Sequence, residues 1–140
     1  MSQPRVLVID DEQSVRDAFT DALAEVPYTV ETACDGKEAL AKAQSNPTDL
    51  IFLDLKMPGM DGVEVLHHIR ELDEAVPIYI VTAFHAEFLD RLRVAEEEGL
   101  SFQLLHKPIG QAAIRKVATA VLASGEDRAR TAGDEQREAA

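Results

Sequence analysis

Cysteine is nearly absent. Cys34 is the single one among 140 residues, so no disulfide can form within the chain, and a reducing, cytoplasmic setting is the expectation. Cys34 itself is expected to be a small buried apolar residue. Long apolar runs are missing too: no stretch approaches the ~18 to 20 apolar residues of a membrane span. The segment Met1-Ser2-Gln3-Pro4-Arg5 lacks the apolar centre of a signal peptide. Basic residues are scarce, with 14 Lys and Arg against 26 Asp and Glu and a formal charge of −12. That balance repels a phosphate backbone and argues against direct nucleic-acid binding. At 140 residues the expectation is one domain, large enough to bury a core and too short for a second catalytic or DNA-binding domain.

What the chain does have is an alternation of five apolar runs with five amphipathic stretches, the pattern of a parallel sheet covered by helices on both faces. Strands are expected at 5–10, 28–33, 49–54, 77–82 and 102–106. The first helix is expected to start at Ser14 as N-cap, with Val15, Phe19, Ala22, Leu23 and Val26 at helical spacing and Pro27 as its stop. The second follows Asp35-Gly36, buries Ala39, Leu40 and Ala43, and ends at Asn46-Pro47. Asp61 and Glu64 have the spacing of a reciprocal capping box for the third helix, with Val65, Leu66, Ile69 and Leu72 on its apolar side. The fourth, about 86–98, places Phe88, Leu92 and Ala95 together and ends in a solvated Glu96-Glu97-Glu98 before Gly99, an acidic end that opposes the helix dipole. The fifth, about 110–123, carries Ile114, Val117, Ala118, Val121 and Leu122. Residues 1–123 form the expected domain, and 124–140 an acidic tail, expected to be disordered because it has no large apolar residue to dock it.

The chemistry gathers at strand ends. Asp54 closes the run Asp49-Leu50-Ile51-Phe52-Leu53-Asp54, and Val6-Leu7-Val8-Ile9 leads into Asp10-Asp11. Thr82 ends the fourth run, and Lys107 follows the fifth in Leu105-His106-Lys107-Pro108. In an open parallel sheet the carboxyl ends of the strands share one rim, where ligands bind at a topological switch point. A carboxylate cluster facing a hydroxyl and an ammonium suits a doubly charged phosphoryl group and a divalent cation. Two carboxylates ~4 Å apart repel by roughly 4 kcal/mol at an effective dielectric of about 20, so such a rim is expected to be strained or partly protonated without a cation.

Taken in order, Asp10-Asp11, then Asp54-Leu55-Lys56-Met57-Pro58-Gly59-Met60-Asp61-Gly62, then Thr82-Ala83, then Lys107-Pro108, the chain resembles the receiver domain of two-component response regulators, and among these the single-domain chemotaxis regulators. The resemblance covers residues 5 to about 123. It implies a flavodoxin-like, doubly wound (βα)5 fold with strand order 2-1-3-4-5. It implies Asp54 as phosphoacceptor, the nucleophile toward a phosphohistidine on a sensor histidine kinase or phosphotransfer protein. Asp11 and Asp54 would then bind Mg²⁺ directly, Asp10 through water, and Lys56 through its backbone carbonyl, with Mn²⁺ as a substitute ion. Lys107, after a bond to Pro108 that is cis in the family, and Thr82 would contact the phosphoryl oxygens. Output would pass through the face of helix four, strand five and helix five to an unspecified protein.

Three positions depart from, or tune, that pattern. Where the family usually has Tyr or Phe three residues before the lysine, this chain has Leu104, with Phe102 two residues earlier on the same side of a regular strand; either would have to serve as the switch residue. Lys56 and Phe84 stand two residues after Asp54 and Thr82, where a bulky Phe84 could exclude the hydrolytic water or serve a partner. His67, His68, His85 and His106 read as surface residues. Two other functions fit less well. An aspartate-nucleophile phosphatase would need a second Asp where Lys56 stands, and a phosphorylation-independent interaction module would not need the whole acidic, Thr and Lys set. A phosphoacceptor and not a multi-turnover enzyme is the expectation.

Overall fold

The computed structural model describes residues 3–83 and 86–130, the last seven by their backbone alone. Five strands, β1 Arg5–Ile9, β2 Thr29–Ala33, β3 Leu50–Asp54, β4 Ile78–Thr82 and β5 Gln103–His106, form one sheet. All neighbours are parallel and the order is β2-β1-β3-β4-β5, so the flavodoxin-like expectation holds. The helices are α1 Gln13–Ala22, α2 Gly36–Ser45, α3 Gly62–Leu72, α4 Leu89–Glu97 after a 3-10 turn at Ala86–Phe88, and α5 Gln111–Arg130.

Period-2 alternation splits the strands between two cores. Leu7, Ile9, Ile51, Leu53, Ile78 and Ile80 pack under α2, α3 and α4, where Ala39, Leu66, Ile69, Leu92 and Ala95 are buried. Val6, Val8, Leu50, Phe52 and Val81 face the other way, under Phe19 and Ala22 of α1 and Ile114, Ala118 and Leu122 of α5. Because both faces are covered, the central strands are apolar at all but their end positions, which is why they read as continuous runs. Phe52 anchors the second core, with its ring 4.9 Å from that of Phe19 and 6.2 Å from that of Tyr79, both separations suited to tilted aromatic pairs.

Several local expectations are corrected. Ser14 lies inside α1: the cap is Glu12, whose carbonyl accepts from the amides of Val15 and Arg16, while the Glu12 amide donates to the Asp10 carboxylate at 2.9 Å. The acidic strand end therefore starts the helix before a serine cap is needed. Cys34 is exposed, not buried, because β2 ends at Ala33 and the chain turns outward toward the cap of α2. There the Cys34 amide donates to Glu38 at 2.7 Å, and that carboxylate with Asp35 nearby pushes the thiol pKa upward, against thiolate chemistry. Leu72 is 47% exposed at the end of α3 instead of joining the apolar side. Phe102 precedes β5 instead of opening it. The fifth helix continues to Arg130, beyond the expected 123, and residues 131–140 of the expected tail lie outside the described residues.

Other expectations hold. Asp61 and Glu64 form the capping box of α3, with Glu64 N–H donating at 3.0 Å and Asp61 N–H at 3.2 Å. Gly99, at φ +91°, closes α4 as the amides of Gly99 and Leu100 donate to the carbonyls of Glu96 and Ala95. Among the described residues, no helix is long and apolar enough to cross a membrane.

Candidate phosphoryl and metal site

Strand parity builds the site. Val8, Phe52 and Leu105 all belong to the α1/α5 side, and two residues further along each strand stand Asp10, Asp54 and Lys107. The same alternation that turns these three apolar side chains, Leu105 only partly buried, toward one face thus delivers two carboxylates and an ammonium to one place at the rim. The Lys107 ammonium donates to Asp10 at 2.9 Å and to Asp54 at 3.3 Å. Asp10, Asp54 and Thr82 are each no more than 5% exposed. β1 and β3 are neighbours; the chain leaves β1 into α1 on one face and leaves β3 into α3 on the other, which opens the crevice beside Asp10 and Asp54.

Electrostatics follow from this packing. Burial, reinforced by the neighbouring Asp10 charge, pushes the Asp54 carboxyl up to about 6 despite the opposing pull of Lys107. For Lys107, burial works against the charged form, but the hydrogen bond to Asp10 and the nearby Asp54 outweigh it and raise the ammonium above its ordinary value. The strain expected of paired carboxylates is therefore relieved in part by a lysine and in part by a raised proton affinity. Asp10 is held further by its amide, which donates to Ala33 O at 3.1 Å. Arg16 Nη1 donates to the Asp10 carbonyl at 2.7 Å.

Asp11 is exposed on the same rim. Oxygens of Asp10, Asp11 and Glu12 lie within 4.8 Å of one another. Glu12 was not singled out from the sequence, although it directly follows the acidic pair. The Lys56 side chain is exposed to solvent, its Nζ 4.0 Å from Glu87. Thr82 ends β4 beside His106 in register, and its carbonyl accepts the Lys107 amide at 2.8 Å. The Lys107–Pro108 peptide bond is cis. Leu104, opposite Ile80 in β5, is 44% exposed, whereas Phe102 packs on the α3/α4 core. Phe84 and His85 lie outside the described residues.

The loop from β3 to α3 is closed tightly against the strand. The Gly62 amide donates to Leu55 O at 2.7 Å, and Gly59 turns the loop at φ +74°. Met57 tucks into the core. Two further links had no sequence signal, since each joins distant segments. Arg91 of α4 makes a forked pair with the Asp61 carboxylate at 2.7 and 3.2 Å. The buried Arg70 guanidinium donates to the Ser101 carbonyl from Nε at 3.2 Å and Nη2 at 2.7 Å, pinning the approach to β5.

A doubly wound parallel sheet with an acidic pair, a further Asp, a Thr and a Lys at one rim defines a receiver-type α/β domain. Residues 6–119 match the family model of the response regulator receiver domain, and the chain belongs to that family. Over 84 residues it is 42% identical to the alkaline phosphatase synthesis transcriptional regulatory protein PhoP of Bacillus subtilis; the match takes in 60% of this chain and 35% of PhoP. The chain thus spans about a third of the curated relative. Among solved structures it is similar to the chemotaxis protein CheY4 of Vibrio cholerae, with 32% identity and a TM-score of 0.74, covering 86% of this chain and 99% of that one. It is also similar to a chain of the CheX–CheY–BeF3–Mg²⁺ complex from Borrelia burgdorferi, with 26% identity and a TM-score of 0.73 over 86% and 90%.

Proposed function

We propose that this chain is a phosphorylation-switched response regulator that accepts a phosphoryl group on Asp54 from a sensor histidine kinase or phosphotransfer protein. The observation that carries the reading is Lys107 bridging Asp10 and Asp54 at the switch-point rim. A carboxylate oxygen of Asp54 attacks the phosphorus of the phosphohistidine. The P–O bond forms as the P–N bond breaks, and the imidazole nitrogen keeps the electron pair and takes a proton from its surroundings. The product is a mixed carboxylic–phosphoric anhydride. Lys107 pairs with the incoming negative charge, and Thr82 donates its hydroxyl to a phosphoryl oxygen.

The donor set fits Mg²⁺, which takes hard oxygen ligands and keeps several waters. Asp11 and Asp54 would hold it directly, Asp10 through water and Lys56 through its carbonyl, with Glu12 close enough to join through a water; Mn²⁺ would substitute. Held by these residues, such an ion would supply positive charge against that building on the phosphoryl oxygens. The presence of BeF3 and Mg²⁺ in the similar Borrelia complex supports this chemistry. The α4–β5–α5 face would carry the output to a protein partner, with Leu104 and Phe102 as switch residues. The exposed apolar Leu89, Val94 and Leu104 on α4 and β5 support that assignment.

Incubation with acetyl phosphate and Mg²⁺, followed by intact-mass measurement, tests the function. A gain of about 80 Da for one phosphoryl group, absent in Asp54→Ala, is expected. Steady turnover of a phosphate ester without a stable adduct would point to a phosphatase instead.

A further inference from the structure

We infer that Arg91 on α4 is a positioning residue for the metal-binding loop, acting through Asp61; the inference rests on the assignment of Asp54 and the Lys56 carbonyl to a Mg²⁺ site. The segment from Leu55 to Asp61 carries the Lys56 carbonyl and is held at three points. Its start is fixed because the Gly62 amide donates to Leu55 O at 2.7 Å. Its far end is fixed by the Asp61–Glu64 capping box. The third point lies on a different element: the Arg91 guanidinium grips both oxygens of the Asp61 carboxylate, at 2.7 and 3.2 Å.

A forked guanidinium–carboxylate pair sets orientation as well as distance, because two parallel hydrogen bonds leave no free rotation about either. The Arg91 guanidinium is itself steadied over the Phe88 ring, 5.8 Å from its centroid, and Phe88 is buried in the core beside Leu92. The Asp61 side chain is 19% exposed and that of Arg91 45%, so the carboxylate end of the pair is the shielded one and the fork geometry, more than burial, sets its worth. Removing Arg91 leaves the loop held by the Gly62–Leu55 bond and the α3 cap and cuts its side-chain tie to α4. The segment carrying the Lys56 carbonyl then loses one of its three supports. Since coupling between sites is reciprocal, the same linkage makes the placement of α4 depend on what is bound at the rim.

The test uses Mg²⁺ alone as the probe, titrated calorimetrically into the full chain well below its melting temperature. Arg91→Ala is expected to weaken Mg²⁺ binding about tenfold, the low end for loss of an outer-shell support, and Arg91→Lys, which keeps the charge without the fork, to fall between. In an Asp61→Asn background, Arg91→Ala should have little further effect. An unchanged Mg²⁺ affinity in Arg91→Ala overturns the inference, as does an equal loss in the Asp61→Asn background. Asp11→Asn separates the two levels: if it leaves Mg²⁺ binding intact, the site assignment itself has failed, whereas loss in Asp11→Asn with no effect of Arg91→Ala removes only the role of Arg91.

Discussion

Gly62 presses against Asp54: a Cβ added at Gly62 would stand 2.3 Å from the Asp54 carbonyl oxygen and 2.7 Å from the Leu55 Cα. The start of α3 therefore rests on the main chain of the candidate phosphoacceptor. Gly62→Ala should destabilise the protein by about 3 kcal/mol or more, the upper end of overpacking costs, because backbone cannot move aside. Gly36→Ala should cost less. There the added carbon would meet Met60 Sδ at 2.9 Å and Val65 Cγ2 at 2.8 Å, and the flexible thioether can shift. Urea unfolding of both variants checks the order, and an equal or reversed order would contradict it.

Asp61 joins a helix cap to an ion pair. Burial favours its neutral form, but the hydrogen bond from Arg91 and the amide of Glu64 outweigh this and hold the carboxyl below its usual value. A carboxyl depressed on folding contributes stability above its unfolded pKa of about 3.9, lost as pH falls through the folded value. Asp61→Ala should cost about 1–2 kcal/mol at pH 7, and the difference from the parent should shrink below pH ~4. Chemical denaturation at pH 7 and pH 3.5 measures both.

For Asp54 the sign is opposite. Its folded pKa of about 6 lies above the unfolded value of about 3.9, so its contribution is fully present below pH ~4 and is lost as pH rises through about 6. Without divalent cation, Asp54→Asn should therefore be more stable than the parent at pH 8, with the gap closing by pH 4.5. Melting curves in chelator across that range decide it, and a gap independent of pH would count against the buried, charge-crowded Asp54.

Millimolar Mg²⁺ should raise the melting temperature of the parent at pH 7.5 by linkage to the native state. Asp11→Asn should lose most of that shift. An undiminished shift in the variant would place the ion elsewhere.

What could be read directly from the sequence has a physical basis. Strands buried on both faces are apolar along their interior positions, so β1, β3 and β4 stand out, and the polar residues at their carboxyl ends are candidates at once. Asp61 and Glu64 are three apart in the chain, so their capping box was also local information. The remainder depends on distances between elements. Arg70 and Ser101 are 31 residues apart, and Arg91 and Asp61 are 30 apart; neither pairing has a periodicity to reveal it. Residue type alone points to a buried Cys34, but β2 stops at Ala33 and leaves the next residue exposed. Ser14 has the residue type of a cap, but Asp10, a site residue, already accepts from the Glu12 amide where α1 begins.

Chemical trapping of the phosphorylated residue tests the central claim most directly. After acetyl phosphate and Mg²⁺, borohydride reduces an aspartyl phosphate to homoserine, and peptide sequencing by mass spectrometry locates it. Homoserine at position 54 alone is the predicted result; homoserine at 10, 11 or 61, or at no position despite a phosphorylated intact mass, would contradict the account.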